Sequence, residues 1–200
     1  MATEALQRTL ADADYVRAAK ELNVEVAAIR AVAEVEAAGE GFLPDGRPAV
    51  LYEAHIFRKH CGGKHNDALD RRGAPLSSAT WNRSLYGATG AHQHDRLDDA
   101  ALSDWDAAHK ACSWGTFQIL GENHKACGFD DVKSFVDAMN SGAPAHLDAF
   151  VNFIKANKLD TALRARNWSA FARGYNGPAY KQNAYDTKMA NAYARWKAKG

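Results

Sequence analysis

Residues 24–52, VEVAAIRAVAEVEAAGEGFLPDGRPAVLY, contain the pattern that decides the fold. Apolar residues recur at spacings of three and four in the first half, which predicts a helix over Val24–Ala38, capped by Asn23 and stopped by Gly39. The helical period is then lost. Asp45-Gly46 is a turn signal, and Ala49–Tyr52 is typical of a strand. The stretch therefore predicts a helix followed by a small β-hairpin.

One face of the predicted helix combines apolar residues with a single acid: Ile29, Val32, Ala33 and Glu36. Glu34 instead pairs at spacing four with Arg30 on a more solvated face. Burial and the negative end of the helix dipole both favour the protonated form of Glu36. Glycoside cleavage needs such an acid to protonate the leaving group. The alternative for Glu36 is a boundary glutamate whose carboxyl group reaches water.

Glycoside hydrolysis usually requires a second carboxylate. Glu53 follows the predicted strand, and a hairpin that folds back towards the helix end would bring Glu53 opposite Glu36. Glu40 and Asp45 are the other candidates nearby, but turn positions explain both of them. The spacing in sequence gives no separation between the two carboxylates, so inversion and retention both stay open.

The rest of the chain is mostly helical, and we expect a mainly α fold with one α-rich domain over residues 1–200. Glycines and prolines indicate a loop-rich segment over residues 62–90. In the first helix we expect Val16, Ala19 and Leu22 to face inward. The predicted helices are Asp12–Leu22, Ala54–His60, Asp98–Ala111, Asp131–Asn140, Pro144–Asn157, Trp168–Tyr175 and Lys181–Lys199.

The composition excludes several classes of protein. The 200 residues are 46% hydrophobic and 24% charged, with a net charge of +1, which is ordinary for a globular domain and requires neither nucleic acid nor a membrane as partner. The three cysteines indicate three free thiols in a reducing cytoplasm. No ligand pair completes a zinc pattern around His60, Cys61 and His65, so we expect no metal or cofactor. The basic segment 181–200 fits a solvated helix face or an anionic cell envelope.

Three stretches then point to a family. The first is AEVEAAGEGF at residues 33–42, continued by DGRP at 45–48 and LYEAHIF at 51–57. The second is ACSWGTFQILG at 111–121, and the third is FARGYNGP at 171–178. In this order they closely resemble the N-acetylmuramidase domain of bacteriophage endolysins, and the resemblance extends from about Asp12 to the C-terminus.

The resemblance implies a lysozyme-like fold with the hairpin beside a catalytic cleft, and cleavage of the β-1,4 bond after N-acetylmuramic acid in peptidoglycan. It implies that Glu36 is the catalytic acid and Glu53 the assisting carboxylate. Tyr52 and Ala54 depart from the residues common at those positions. The second and third stretches also look like signatures of goose-type lysozymes and lytic transglycosylases. We expect a monomer without a separate wall-binding domain, made without a signal peptide and released to the cell wall by a holin-type lesion.

A peptidoglycan strand offers N-acetyl amides, hydroxyls and apolar sugar faces, so its site needs amide partners and aromatic platforms. Gln118 and Asn176 can bind an acetamido group, and Tyr175 can close over a ring. Gly115 would let the backbone approach the sugar. Trp114 is a platform or a core residue, with packing the better explanation. The remaining candidates are platforms in the loop-rich segment and arginines for lactyl or peptide carboxylates: Trp81, Tyr86, Arg47, Arg58, Arg71 and Arg72.

Three alternatives stay open. A lytic transglycosylase would cut the same bond but capture the muramyl 6-hydroxyl, and a missing second carboxylate would favour it. A catalytically silent peptidoglycan-binding module would need no acid such as Glu36. An amidase or peptidase would need a nucleophile and a base; Cys112 and His109 lie three residues apart, but nothing in the sequence orders them in these roles.

Overall fold

The computed structural model describes residues 6–37 and 41–199. Most of this part of the chain is helical, as the periodicity predicts. The α-helices are α1 (Asp12–Leu22), α2 (Val26–Glu36), α3 (Ala54–His60), α4 (Ala91–Ala101), α5 (Trp105–Lys110), α6 (Val132–Met139), α7 (Ala143–Ala156), α8 (Asp160–Arg164), α9 (Trp168–Asn176) and α10 (Tyr185–Ala198). Short 3-10 turns lie at Arg83–Leu85, Gly121–Asn123 and Pro178–Asn183.

Three short strands form one antiparallel sheet in the order β1 (Val50–Tyr52), β2 (Cys112–Trp114) and β3 (Ile119–Leu120). The predicted strand is confirmed, but its ladder partner is β2, with Leu51 opposite Ser113. The predicted hairpin is reduced to a bridge between Phe42 and Pro48 around the turn. Residues 112–114, far away in sequence, therefore complete the sheet.

The first two helices meet at Asn23, where the prediction of an N-cap is wrong. Asn23 has φ of 53° and ends α1, with its backbone N–H donating to the carbonyls of Ala19 and Lys20. Asparagine tolerates this left-handed conformation better than most residues. Helix α2 then begins at Val26, and its described end is Glu36. The predicted stop at Gly39 and the turn residue Glu40 lie outside the described residues.

Helix α2 packs against α1 and α10, with Ile29 and Val32 fully buried. Glu34 is exposed as predicted, but the predicted pairing of Glu34 with Arg30 is wrong. Its carboxylate accepts hydrogen bonds from two residues of α10, namely Arg195 and the Trp196 indole, whose Nε1 lies 2.8 Å away. Arg30 pairs with Asp12 instead, at 2.7 Å. The surface of α2 is thus tied to both neighbouring helices.

Two predicted helices are each divided in two. Asp98–Ala111 becomes α4 and α5, because the side chain of Asp104 accepts the N–H of Ala107 and starts a new helix. Lys181–Lys199 becomes a 3-10 turn and α10, which are separated by Ala184 with φ of 51°. The short helix α8 was missed.

The core lies between the helices and the sheet, and its fully buried phenylalanines are Phe57, Phe135, Phe150 and Phe171. Ala19 and Leu22 are buried as expected, whereas Val16 is 53% exposed and points outward. The three cysteines are free and buried.

The loop-rich segment 62–90 is held by a buried ion pair. Arg96 of α4 and Asp70 of the loop are both fully buried, and Nη1 lies 2.7 Å from the carboxylate. Arg96 also donates to the carbonyl of Pro75, while Asp70 accepts the N–H groups of Arg72 and Ala74. This pair fixes the loop without regular secondary structure.

None of the helices in the described part of the chain has the length and apolarity needed to cross a membrane. Within the same residues, no three histidine, cysteine, aspartate or glutamate side chains gather in a geometry that could hold a metal ion.

Candidate active site

A cleft of about 510 Å³ lies between the C-terminal end of α2 and the sheet. Glu36 lines one side, strand β1 contributes Val50 and Leu51, and the turn between β2 and β3 contributes Gln118. Glu36 is the only titratable residue among the described residues that line the cleft. The last turn of the helix and the sheet thus bring one carboxyl group to a concave surface.

The environment of Glu36 favours its neutral form. The carboxyl group is half-buried, and burial raises its pKa from 4.5 to about 7. One opposing contact comes from Asn176 at the end of α9, whose Nδ2 donates to Oε1 at 2.8 Å and lowers the pKa. Desolvation is the larger effect. Glu36 therefore keeps a substantial protonated fraction near neutral pH, as a general acid requires.

Gln118 stands across the cleft in a backbone conformation that exposes it. Its φ is 48°, and its side-chain Nε2 donates to the Gly115 carbonyl at 2.8 Å. This bond fixes the amide and leaves its oxygen as an acceptor. Of the predicted binding residues, Gln118 and Asn176 are the two amides that the structure brings to the cleft and to its acid.

The turn that carries Gln118 rests on His146 of α7, which sequence reasoning missed. His146 is fully buried. Its Nδ1 accepts a hydrogen bond from the Thr116 N–H at 3.0 Å, and its Nε2 lies 2.7 Å from the Met139 carbonyl oxygen. These partners assign a neutral ring with its proton on Nε2, and burial lowers its pKa. Gly115 has φ of 64°, and a Cβ there would lie 2.4 Å from this ring. Only glycine fits at position 115, because any side chain there would collide with the packed ring of His146.

Tyr175 lies near the acid, and its partly buried ring packs against the core. It stacks on Phe171 at 5.9 Å and meets Phe150 edge to face, while its hydroxyl donates to the Phe117 carbonyl at 3.1 Å. Burial raises the pKa of Tyr175 well above 10, and the Glu36 charge raises it further. Its hydroxyl is engaged by Phe117, and the closing of this ring over a sugar stays a prediction.

Trp114 is a core residue. It is 3% exposed, its indole Nε1 donates to the His109 carbonyl at 3.1 Å, and its ring stacks on the His109 ring. A buried indole presents no face to a sugar, so Trp114 does not act as a substrate platform.

Glu53 occupies a separate, small pocket next to the cleft. Its carboxylate accepts a hydrogen bond from the Tyr86 hydroxyl at 2.6 Å, and that hydroxyl accepts one from the Trp81 indole at 2.8 Å. The carboxylate is one cause of the rise of the Tyr86 pKa to about 12, after burial. Trp81 is 59% exposed. These three predicted residues therefore form one group, apart from the residues that line the cleft with Glu36.

Gln93 connects the two pockets, because it lines the cleft of Glu36 and bonds to Tyr52 and Tyr86 of the Glu53 pocket. Gln93 is buried and was not predicted from the sequence as a site residue. Its Oε1 accepts the N–H of Tyr52, and its Nε2 donates to the carbonyls of Tyr86 and Ala88 at 2.6 and 2.7 Å. The start of α4 after Gly90 could have revealed Gln93, but the helix was predicted to begin only at Asp98.

Comparison with known proteins agrees with this geometry. A comparison with functionally curated proteins finds no match. Among solved structures, the chain is similar to the Burkholderia AP3 phage endolysin, with 44% sequence identity and a TM-score of 0.86 over 96% of this chain and 72% of the other. The sequence profile of the N-acetylmuramidase family matches residues 25–197. That range includes the acid, the cleft and both amides, and the chain belongs to the N-acetylmuramidase family.

Proposed function

We propose that this protein is an endolysin that hydrolyses the β-1,4 bond between N-acetylmuramic acid and N-acetylglucosamine in peptidoglycan. The observation that carries the proposal is Glu36, a half-buried carboxyl group with a pKa of about 7 at the edge of an open cleft. Family membership and the endolysin neighbour support peptidoglycan as the substrate. The site of action would be the cell wall, with residues 1–200 as one catalytic domain.

In the proposed reaction Glu36 donates its proton to the glycosidic oxygen as the bond to the muramyl carbon breaks. Asn176 holds Oε1 at 2.8 Å and would stabilise the carboxylate that remains. Gln118 would accept or donate a hydrogen bond to an acetamido group. Positive charge then develops on the sugar ring and must be met by a nucleophile.

Glu53 is the candidate for activating the water. Its carboxylate is held by the Tyr86 hydroxyl. Glu53 directly follows β1 and lies two residues after Leu51, which lines the cleft. A substrate that displaces Tyr86 or draws water past Gln93 would bring Glu53 into the reaction. Trp81 beside it offers an exposed indole for a sugar face.

A lytic transglycosylase is the second candidate, and one observation favours it. The described residues that line the cleft include no second carboxylate beside Glu36. Capture of the muramyl 6-hydroxyl needs no activated water, so Glu36 could serve alone: after it has protonated the leaving oxygen, its carboxylate accepts the proton that the 6-hydroxyl loses as it bonds to the muramyl carbon. Both reactions break the same bond and differ only in the acceptor.

Mass spectrometry of digested purified peptidoglycan tests the proposal. Reducing muramyl ends, with one oxygen from ¹⁸O-labelled water, are expected for the hydrolase, whereas anhydromuramyl ends would establish the transglycosylase. Glu36→Gln should lower the rate by about 10²- to 10⁴-fold, the contribution of general acid catalysis. The matched control is Glu34→Gln on the same helix. If the folded wild type binds peptidoglycan without cleaving it, the protein is a binding module and the proposal is wrong.

A further inference from the structure

We propose that the cleft continues past Glu36 into a second pocket, which binds the peptide stem carried by the muramic acid residue. This inference rests on the proposed function and extends it to the part of the substrate that is not sugar. It assigns Arg8 as the residue that recognises a carboxylate of the stem.

The two cavities are continuous along one wall. Leu43 and Thr116 line both the cleft of Glu36 and the second pocket, which has a volume of about 560 Å³. Ala37, the neighbour of Glu36 in the chain, also lines the second pocket. A substituent on the sugar next to the cleaved bond could therefore reach the second pocket while that bond lies at Glu36.

The walls of the second pocket differ chemically from those of the cleft. The cleft and its acid have the amides of Gln118 and Asn176, which suit acetamido groups. The described residues of the second pocket include no asparagine or glutamine. Apart from the hydroxyls of Thr9 and Thr116, its side chains are mostly apolar, with one cation at its edge: Leu10, Tyr15, Phe42, Pro44 and Arg8. Apolar walls with one cation match alanyl methyl groups together with a carboxylate farther along the chain, which a peptide stem provides, whereas a glycan without peptides keeps only the lactyl carboxylate beside the sugar ring.

Arg8 is held in place by uncharged partners. Its Nη1 donates to the Pro44 carbonyl at 3.2 Å. The backbone carbonyl of the preceding residue, Gln7, accepts a hydrogen bond from the N–H of Ala143 at the start of α7, at 2.8 Å. This bond holds the N-terminal segment against α7. No carboxylate of the described residues lies within 4.0 Å of the Arg8 guanidinium, which is exposed.

Three of the four arginines that the sequence suggested for the same task are paired with carboxylates, whereas Arg58 donates to the side-chain oxygen of Asn66. Arg47 lies 2.8 Å from Asp45, and Arg71 lies 2.8 Å from Asp99. A guanidinium engaged by a carboxylate of its own chain must break that pair to bind another. Arg8 can form charge-assisted hydrogen bonds with a ligand carboxylate at no such cost.

The test compares two substrates: intact peptidoglycan, and the same glycan strands after an amidase has removed the peptides and left a lactyl carboxylate on each muramic acid residue. Arg8→Gln should lower kcat/KM about tenfold on the peptide-bearing strands, mainly through KM, as expected for a lost hydrogen bond to a charged group. On stripped strands the variant should stay within about twofold of the wild type. The matched control is Arg17→Gln, an exposed arginine paired with Asp148 on the surface, which should change neither rate.

Equal losses on both substrates would show that Arg8 supports the turn at Pro44 or binds the lactyl carboxylate, and either result would overturn the proposal. An unchanged rate on peptide-bearing strands would overturn it as well. A wild type that cleaves stripped strands but gains nothing from the stem contradicts stem recognition while leaving the proposed function intact. Failure to cleave either glycan refutes the proposed function itself, and the inference with it. Thermal unfolding of Arg8→Gln separates a binding loss from misfolding.

Discussion

Replacement of Glu36 by glutamine should stabilise the protein increasingly as the pH rises. The unfolded chain ionises this carboxyl near its ordinary pKa of 4.5, whereas in the folded protein burial raises the pKa to about 7. Between these values the folded state holds a proton that the unfolded state has released. The stability that Glu36 contributes to the wild type is therefore fully present below pH 4.5 and is lost as the pH rises to about 7 and above. Glutamine is neutral throughout and avoids this cost.

The size of the effect follows from the two pKa values. One pKa unit corresponds to about 1.4 kcal/mol, so at pH 8 the ionised Glu36 costs the folded wild type about 3 kcal/mol. At pH 5 the cost is only about 1 kcal/mol, because the folded carboxyl is still protonated. The advantage of Glu36→Gln should therefore grow by about 2 to 3 kcal/mol between pH 5 and pH 8, or about 5–10 °C in Tm for a protein of this length.

Differential scanning calorimetry of both proteins at pH 5, 6, 7 and 8 measures this gap directly, independently of any substrate. Glu34→Gln is the matched control: it removes an exposed carboxylate from the same helix, where burial cannot produce the growth of the gap with pH that is expected for Glu36. A constant gap for Glu36→Gln would show that the carboxyl ionises normally, and the argument for a protonated general acid would fail.

Three further predictions concern the surroundings of the site. Asn176→Ala removes the hydrogen bond that lowers the pKa of Glu36, so the alkaline limb of kcat/KM against pH should move up by about one pH unit, whereas exposed Asn183→Ala should leave it in place. Asp70→Asn strands the buried Arg96 charge and should cost about 3–5 kcal/mol in urea unfolding; a loss below 1 kcal/mol would mean that the pair does not hold the loop. The three cysteines should react with a thiol reagent only after unfolding, and a fast reaction in the native protein would contradict their burial.

Local patterns in the sequence determined much of this protein. The limits of α1 and α3 follow from periodicity, and the stripe of Ile29 and Val32 places Glu36 on the buried side of its helix. These features depend on neighbours three or four residues apart, whose relative positions are fixed once a helix forms. The resemblance to a family rests on the same local stretches and needed no tertiary information.

The tertiary structure alone decided which of the candidate residues meet. Asn176 reaches Glu36 across 140 residues of chain, and β1 pairs with β2 rather than within a hairpin. The sequence predicts a hairpin that brings Glu53 opposite Glu36, but in the structure Glu53 bonds to Tyr86, which in turn bonds to Gln93, and Glu53 does not line the cleft. Such contacts depend on how distant elements pack, and a side chain such as Trp114 looks the same in sequence whether its face meets a sugar or His109. Only packing assigned it to the core, because burial is a property of the whole fold.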